Sequence, residues 1–260
     1  MPESIANLSP SQVVGRFSKA QRLLEEGGLP WEAWQLVIDN PKARQRLVSY
    51  WRLGCYETST SQKFARKIMG GNFLGLEDVI KHFGASFSDD ELKALAEIPF
   101  DEKTLRGCHK THVLFPGYPL SVLEVRSKIP RGTFWSYEDA WYDSQTFSAN
   151  EKVELRWYLV SRDILSGSTS KNWDEQEKLI PESWERPSAV EMAYMAALYK
   201  LTRGKDLFAK YWAWTRSQAS RGGRVGVGSC GGRVDLDRWH PADHDDRLGL
   251  AVSRKFQKET

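Results

Sequence analysis

The chain has 260 residues, a formal net charge of +3, 40% hydrophobic residues and 27% charged residues. This composition is ordinary for a globular protein, excludes disordered and fibrous classes, and gives no reason to expect a nucleic-acid partner. No apolar run approaches the roughly 18 residues that cross a bilayer, and the opening MPESIANLSP lacks the basic start and apolar middle of a signal peptide. We therefore expect a cytoplasmic protein with no membrane partner.

Residues 1–95 are predicted to form a helical region. Polar cap residues precede apolar periodic stretches at Ser9, Asn40 and Ser88, and the stretch GLEDVIKHFG has the same helical spacing. Glu91, three residues after Ser88, completes a capping box. Short turns of Gly, Ser or Pro separate these helices, which suits a small bundle.

Residues 96–260 are predicted to form a second, mixed domain. THVLFPGYPLSVLEVRSKI indicates a strand, a turn and then a helix or second strand, whereas GTFWSYEDAWYDSQTF and VELRWYLVSRDIL have the aromatic and β-branched content of strands. PSAVEMAYMAALYKLTRG is the clearest helix, with a capping box at Ser188 and Glu191 and a stop at Gly204.

Short strands are predicted after this helix because apolar residues recur at period two. The recurring residues are Trp212 and Trp214, Val225 and Val227, Val234 and Leu236, and Leu248, Leu250 and Val252. The fold class is therefore α+β, with a helical N-terminal region before a domain that contains a short, loop-rich antiparallel sheet.

The cysteines give no metal or disulfide motif. Cys55, Cys108 and Cys230 are far apart and form no CxxC pair, so free thiols are expected. The chain also has eleven tryptophans, many of them in its second half, which predicts a rigid frame of large aromatic anchors.

The segment RVGVGSCGGRVDLDRWHPADHDDRLGL, residues 224–250, contains side chains that could form an enzyme centre. Cys230, His240 and His244 could serve as zinc ligands or as a thiol nucleophile with its base. However, Pro241 directly follows His240, so the two histidines do not have the fixed spacing of one helix face. A metal- or thiol-dependent enzyme centred on these three residues is the alternative to a binding protein.

The same segment lacks particular residue types. Gln, Lys, Glu, Met and Trp number 60 in the 260 residues, yet Trp239 is the only one of them in residues 224–250. None of these five types can be made from an Asn codon by changing its two adenines, whereas Arg, Gly, Ser, Cys, Asp and His can. This bias favours a segment whose codons were altered at adenines.

The C-terminal part of the chain resembles variable proteins of diversity-generating retroelements over about residues 150–256. The resemblance lies in several short pieces in order: TRS at Thr215–Ser217, RVGVG at Arg224–Gly228, a central Trp239, and LGLAVSRK at Leu248–Lys255. It implies a C-type-lectin-like fold of the formylglycine-generating-enzyme type, with a variable region at about residues 210–256. The enzyme with that fold needs a reactive cysteine pair here. Because only Cys230 is present, oxidase activity is not implied.

The resemblance also implies a division of roles among the residues of this region. The residues carried over as fixed frame are Val225, Val227, Gly228, Val234, Leu236, Trp239, Leu248, Gly249, Leu250 and Ser253–Lys255. The residues carried over as diversified, ligand-binding positions are Gly226, Ser229, Cys230, Asp235, Asp237, Arg238, His240, Ala242, His244, Asp245 and Arg247. We therefore expect a hypervariable, non-enzymatic ligand-binding protein without cofactor or metal, whose partner is a protein surface.

Overall fold

The computed structural model describes residues 60–255 and scattered residues between 18 and 44. The chain divides into two compact units, residues 1–57 and 58–260. In the first unit, Pro41 and Arg44 are helical and the Arg44 N–H donates to the Asn40 carbonyl at 3.0 Å, consistent with a helix beginning after Asn40. The predicted cap at Ser9 lies outside the described residues. Among those described, no helix has the length and apolar character needed to cross a membrane.

The second unit mixes short helices and short strands. Its helices are α1 (Gln62–Met69), α2 (Leu76–Phe83), α3 (Asp89–Ala94), α4 (Glu102–Cys108), α5 (Val122–Lys128), α6 (Thr146–Asn150), α7 (Trp173–Glu177) and α8 (Ala189–Arg203), with 3-10 turns at Gly70–Asn72 and Ser220–Gly222. Its strands are β1 (Thr60–Ser61), β2 (Glu97–Ile98), β3 (His112–Pro116), β4 (Trp157–Ser161), β5 (Trp184–Glu185), β6 (Trp212–Gln218), β7 (Arg224–Cys230), β8 (Arg233–Trp239), β9 (Leu248–Leu250) and β10 (Ser253–Arg254). The predicted α+β class is confirmed.

Side-chain caps fix the helix ends that the sequence predicted. The Ser188 hydroxyl accepts from the Glu191 N–H at 3.3 Å, and the Glu191 carboxylate accepts from the Ser188 N–H at 2.7 Å. The same reciprocal pair joins Ser88 and Glu91 at the start of α3. Gly204 ends α8 in the left-handed region at φ 65°, which glycine adopts without a steric penalty.

The strands form three sheets. One pairs β1 with β2, the second has the order β3-β4-β10-β5, and the third has the order β8-β7-β6-β9. The pairs are antiparallel except β6–β9, which is parallel, with Trp212 opposite Leu248 and Trp214 opposite Leu250. The expected antiparallel sheet therefore contains one parallel pair.

The segment GTFWSYEDAWYDSQTF does not form the predicted strands. Between residues 132 and 145 the backbone makes turns and a single bridge of Phe134 to Val234, and α6 then begins at Thr146. The aromatic residues Phe134, Tyr142 and Phe147 instead insert separately into the core. Aromatic content predicted a strand, but burial of single rings in turns accounts for it here.

Helix α8 lies at the centre of the core. Eleven consecutive residues from Ala189 to Tyr199 are buried, and they pack with apolar residues of β3, β7 and β8. Each fully buried large apolar side chain stabilises the fold by roughly 1.5–3 kcal/mol. Val79 and Phe83 of α2 belong to this same core. Helix α2, which lies within the predicted helical region 1–95, thus shares a core with α8.

Candidate ligand-binding surface

The β7–β8 hairpin separates an apolar face from a polar one. Val227 pairs with Leu236 and Gly228 with Asp235, and directly paired residues of the two strands share a face. The face that carries Val227 and Leu236 packs against α8. We call the opposite face, which carries Gly226, Gly228, Asp235 and Asp237, the outer face.

Two carboxylates, Asp235 and Asp237, lie side by side on the outer face. Partial burial, with a further contribution from the charge of Asp237, raises the pKa of Asp235 to about 6. Asp237 is exposed, and one of its carboxylate oxygens accepts from the Arg238 N–H at 2.7 Å. Acidic side chains in this position can accept hydrogen bonds from a ligand.

Two indoles cover the glycines of β7. A Cβ atom at Gly226 would lie 3.0 Å from Nε1 of Trp239, and one at Gly228 would lie 2.8 Å from Cδ2 of Trp212. The Trp212 and Trp239 rings meet edge to face with their centroids 6.4 Å apart. Gly226 is buried beneath this pair. It therefore presents no group to a ligand here, although it was predicted as a ligand-binding position.

Residues 240–247, which we call the 240–247 loop, continue the surface beyond β8. Short-range hydrogen bonds order it: the His240 N–H donates to Asp243 Oδ2 at 2.8 Å, and the Arg247 N–H to Asp245 Oδ1 at 2.8 Å. His244 Nε2 lies 3.2 Å from Glu175 Oε2, which connects the loop to α7. The predicted positions in this loop thus lie on a backbone that these hydrogen bonds hold.

The predicted ligand-binding positions do not all share one face. Arg238 has the same parity as Leu236 and projects toward the helix side, where its guanidinium carbon lies 6.0 Å from the centroid of the Trp141 ring. Ser229 is on the same face as Val227 and Val234, toward the helix, and Cys230 lies at the β7–β8 turn. The exposed predicted positions are Asp237, Arg238, His240, Ala242, His244 and Arg247. The partly buried ones are Ser229, Cys230, Asp235 and Asp245.

The geometry separates the three residues of the alternative enzyme centre. Cys230 pairs with Arg233 at the turn end of the hairpin, whereas His240 follows Trp239 at the other end. At about 3.4 Å per residue, strand β8 holds them roughly 20 Å apart. In residues 60–255 no three His, Cys, Asp or Glu side chains are grouped so as to hold a metal ion. Cys230 therefore lies too far from His240 for His240 to serve as its base.

Trp135 is an exposed aromatic residue beside this surface that the sequence did not single out. Its side chain is 48% exposed, and its N–H donates to the Val234 carbonyl at 2.8 Å along the edge of β8. The Arg233 guanidinium carbon lies 5.6 Å from its ring centroid, within cation–π range. A large exposed ring held by a backbone hydrogen bond is a ready contact for a ligand. Trp135 lies within the segment that was wrongly predicted to form strands, so nothing in the sequence indicated its exposure.

Arginines stack on Trp173 at the other side of the sheet. The guanidinium carbons of Arg186 and Arg224 lie 3.7 Å and 4.3 Å from its ring centroid. Arg186 is buried, and desolvation lowers its pKa to about 10. Trp173 also packs edge to face on Trp214. This cluster covers Trp214 of β6, whereas Asp237 of β8 is exposed.

No family model matches the sequence, and no curated protein or solved structure matches it either. The fold and the surface geometry are therefore the basis for assigning function.

Proposed function

We propose that the chain is a non-enzymatic ligand-binding protein, a variable protein of a diversity-generating retroelement with a C-type-lectin-like domain. The observation that carries the proposal is the alternation along β8. Val234 and Leu236 are 4% and 2% exposed and hold the hairpin on α8, whereas Asp235 and Asp237 project from the other face. Residues of the second kind can change without removing core contacts.

The ligand surface consists of the outer face near β8 and the 240–247 loop, with Trp135 at its edge. Its side chains are acidic, basic and imidazole groups around one fixed aromatic ring. Adaptable polar groups on a rigid aromatic frame resemble the division of roles in antibody binding loops. The surface is open, which favours a protein partner over a small molecule enclosed in a cavity.

Genomic sequence tests the retroelement origin. We expect a near-copy of the segment that encodes residues 210–256 to lie beside a reverse-transcriptase gene. It should differ from the coding segment only where the copy has adenine. Differences spread over all four bases, or a genome without such a copy, would contradict the proposal.

A library experiment tests the surface itself. Randomising Asp237, His240, Ala242, His244 and Arg247 together should leave most variants folded, as judged by protease resistance on a display system. A matched library that randomises Val225, Val227, Val234, Leu236 and Leu248 should leave few variants folded. Equal loss of folding in the two libraries would contradict a surface whose residues are interchangeable.

A further inference from the structure

A basic pocket lies away from the proposed ligand surface. It has a volume of about 460 Å³ and is bordered by the Gly70–Asn72 turn, the end of α4, the end of β4 and the end of α8. Its charged lining residues are Lys110, Arg162, Arg203 and Lys205, and His109 also contributes to the wall. No predicted ligand-binding position lines it.

The charge of this pocket is unbalanced. The lining holds four permanent cations and no carboxylate, whereas the whole chain has a net charge of +3, so the remaining residues sum to +3 − 4 = −1. Nearby Asp206 is paired with Lys200 at 2.6 Å. Within residues 60–255, none of the four cations forms an ion pair. Clustered like charges repel one another, and an anion in the pocket would relieve that repulsion.

Hydrogen bonds hold two of the cations in place. Arg203 donates from Nε to the Gly71 carbonyl at 2.9 Å and from Nη2 to the Phe73 carbonyl at 2.7 Å. Arg162 donates from Nη1 to Oδ1 of the buried Asn72 at 3.4 Å. Because the acceptors of these hydrogen bonds are neutral oxygens, they do not compensate the positive charge of the two guanidinium groups. The remaining N–H groups of such a held guanidinium are well suited to phosphate oxygens.

Hydrogen bonds between polar groups hold the floor of the pocket in place. Asn72 Nδ2 donates to the His109 carbonyl at 2.7 Å, and Tyr199 Oη donates to Asn72 Oδ1 at 3.2 Å. These contacts join the turn, α4 and α8 beneath the cations. A ligand can therefore bind without ordering the floor, which reduces the entropic cost of binding.

We propose that the basic pocket binds a small anion with two linked phosphate groups, the diphosphate class. Four cations match the three to four negative charges of such a group better than the charge of a single phosphate. Lys110 and Lys205 provide mobile charges at the rim, and the two arginines provide fixed ones. The proposal does not depend on the proposed function, because the pocket shares no predicted position with the ligand surface.

Isothermal titration of the full chain with inorganic pyrophosphate tests this site, with inorganic phosphate as the weaker comparison. We expect one binding site, tighter binding of pyrophosphate than of phosphate, and weakening as salt is added. The double variant Lys110→Gln/Lys205→Gln should bind pyrophosphate at least about tenfold more weakly. Both lysines are exposed, so the variant should keep the fold.

The matched control is Lys63→Gln/Lys128→Gln, which removes the same charge at exposed positions outside the pocket. It should change the affinity less than about twofold. Equal weakening in both double variants would overturn the proposal, and so would failure of the wild-type chain to bind millimolar pyrophosphate. Tight binding of a single-stranded oligonucleotide that pyrophosphate does not displace would also overturn it, in favour of an extended polyanion.

Discussion

Trp239 lies across Gly226, and Trp212 lies across Gly228 more closely still. A Cβ atom would meet the first indole at 3.0 Å and the second at 2.8 Å, and the Tyr211 carbonyl oxygen also lies 3.0 Å from a Cβ at residue 228. Both rings are partly buried, but a Cβ at residue 226 would meet only side-chain atoms, which can shift more easily than a backbone carbonyl. Position 226 can therefore accept a small side chain more readily than position 228.

Replacing these glycines with alanine should give different losses of stability. We expect Gly228→Ala to lower the free energy of unfolding by about 1–3 kcal/mol, as overpacking does, and Gly226→Ala to lower it by less. Urea denaturation measures both. Gly71→Ala is the control, because nothing lies within 4 Å of a Cβ there. A larger loss at residue 226 than at residue 228 would contradict the packing.

Truncation of two adjacent residues on β8 should change the free energy of unfolding by very different amounts. Leu236→Ala removes a side chain that is 2% exposed in the core against α8 and should cost about 2–5 kcal/mol. Asp237→Ala removes an exposed side chain and should change the free energy of unfolding by at most about 0.5 kcal/mol. Chemical denaturation of the pair checks this. A large loss in Asp237→Ala would mean that the residue supports the fold, and the proposed surface would be wrong.

Asp235 should make stability depend on pH. Its pKa of about 6 lies above the ordinary value of 3.8, so the folded state binds this proton more tightly than the unfolded chain does. This contribution is complete below about pH 3.8 and is lost as pH rises through about 6. Relative to wild type, Asp235→Asn should therefore gain stability between pH 4 and pH 7.

Urea denaturation at a series of pH values measures this gain, and Asp246→Asn on the 240–247 loop is the control. Direct titration of the carboxyl group by NMR gives a second readout. A pKa at or below 4 would show that burial does not raise it.

The thiols should differ in their reaction with Ellman's reagent. Burial raises the pKa of Cys108 to about 11, whereas Cys230 is partly exposed at the β7–β8 turn. In a Cys55→Ser variant, we expect one thiol to react rapidly at pH 8 and the second only after unfolding. Cys230→Ser in the same background should abolish the rapid phase. A rapid phase that persists without Cys230 would show that Cys108 is accessible.

The sequence predicted those elements whose determinants are local. The capping boxes at Ser88 and Ser188 and the stop at Gly204 are interactions within a few residues, and the structure has them in place. Period two likewise predicted that Val234 and Leu236 would be buried opposite Asp235 and Asp237. The same alternation places Arg238 on the helix side. The family resemblance implied a ligand-binding role for Arg238 without regard to this alternation.

What the sequence missed depends on contacts between distant residues. Phe134 and Trp135 lie beside β8 because a backbone hydrogen bond joins Trp135 to Val234, which is about a hundred residues away in the sequence. Parallel pairing of β9 with β6 and the burial of Gly226 beneath Trp239 also arise only when the strands assemble. The basic pocket is of the same kind, since its four cations come from three separate segments of the chain.

Strand β10 joins the β3–β4 pair to β5 in the second sheet. It pairs with β4 through Ser253 and with β5 through Ser253 and Arg254, and only Ala251 and Val252 separate it from β9 in the third sheet. During synthesis, β4 can pair with β3 early, but β5 has no neighbouring strand until residue 254 has left the ribosome. Such long-range pairing slows folding. The second sheet therefore stays incomplete in the nascent chain until the segment that carries the proposed ligand surface has been synthesised.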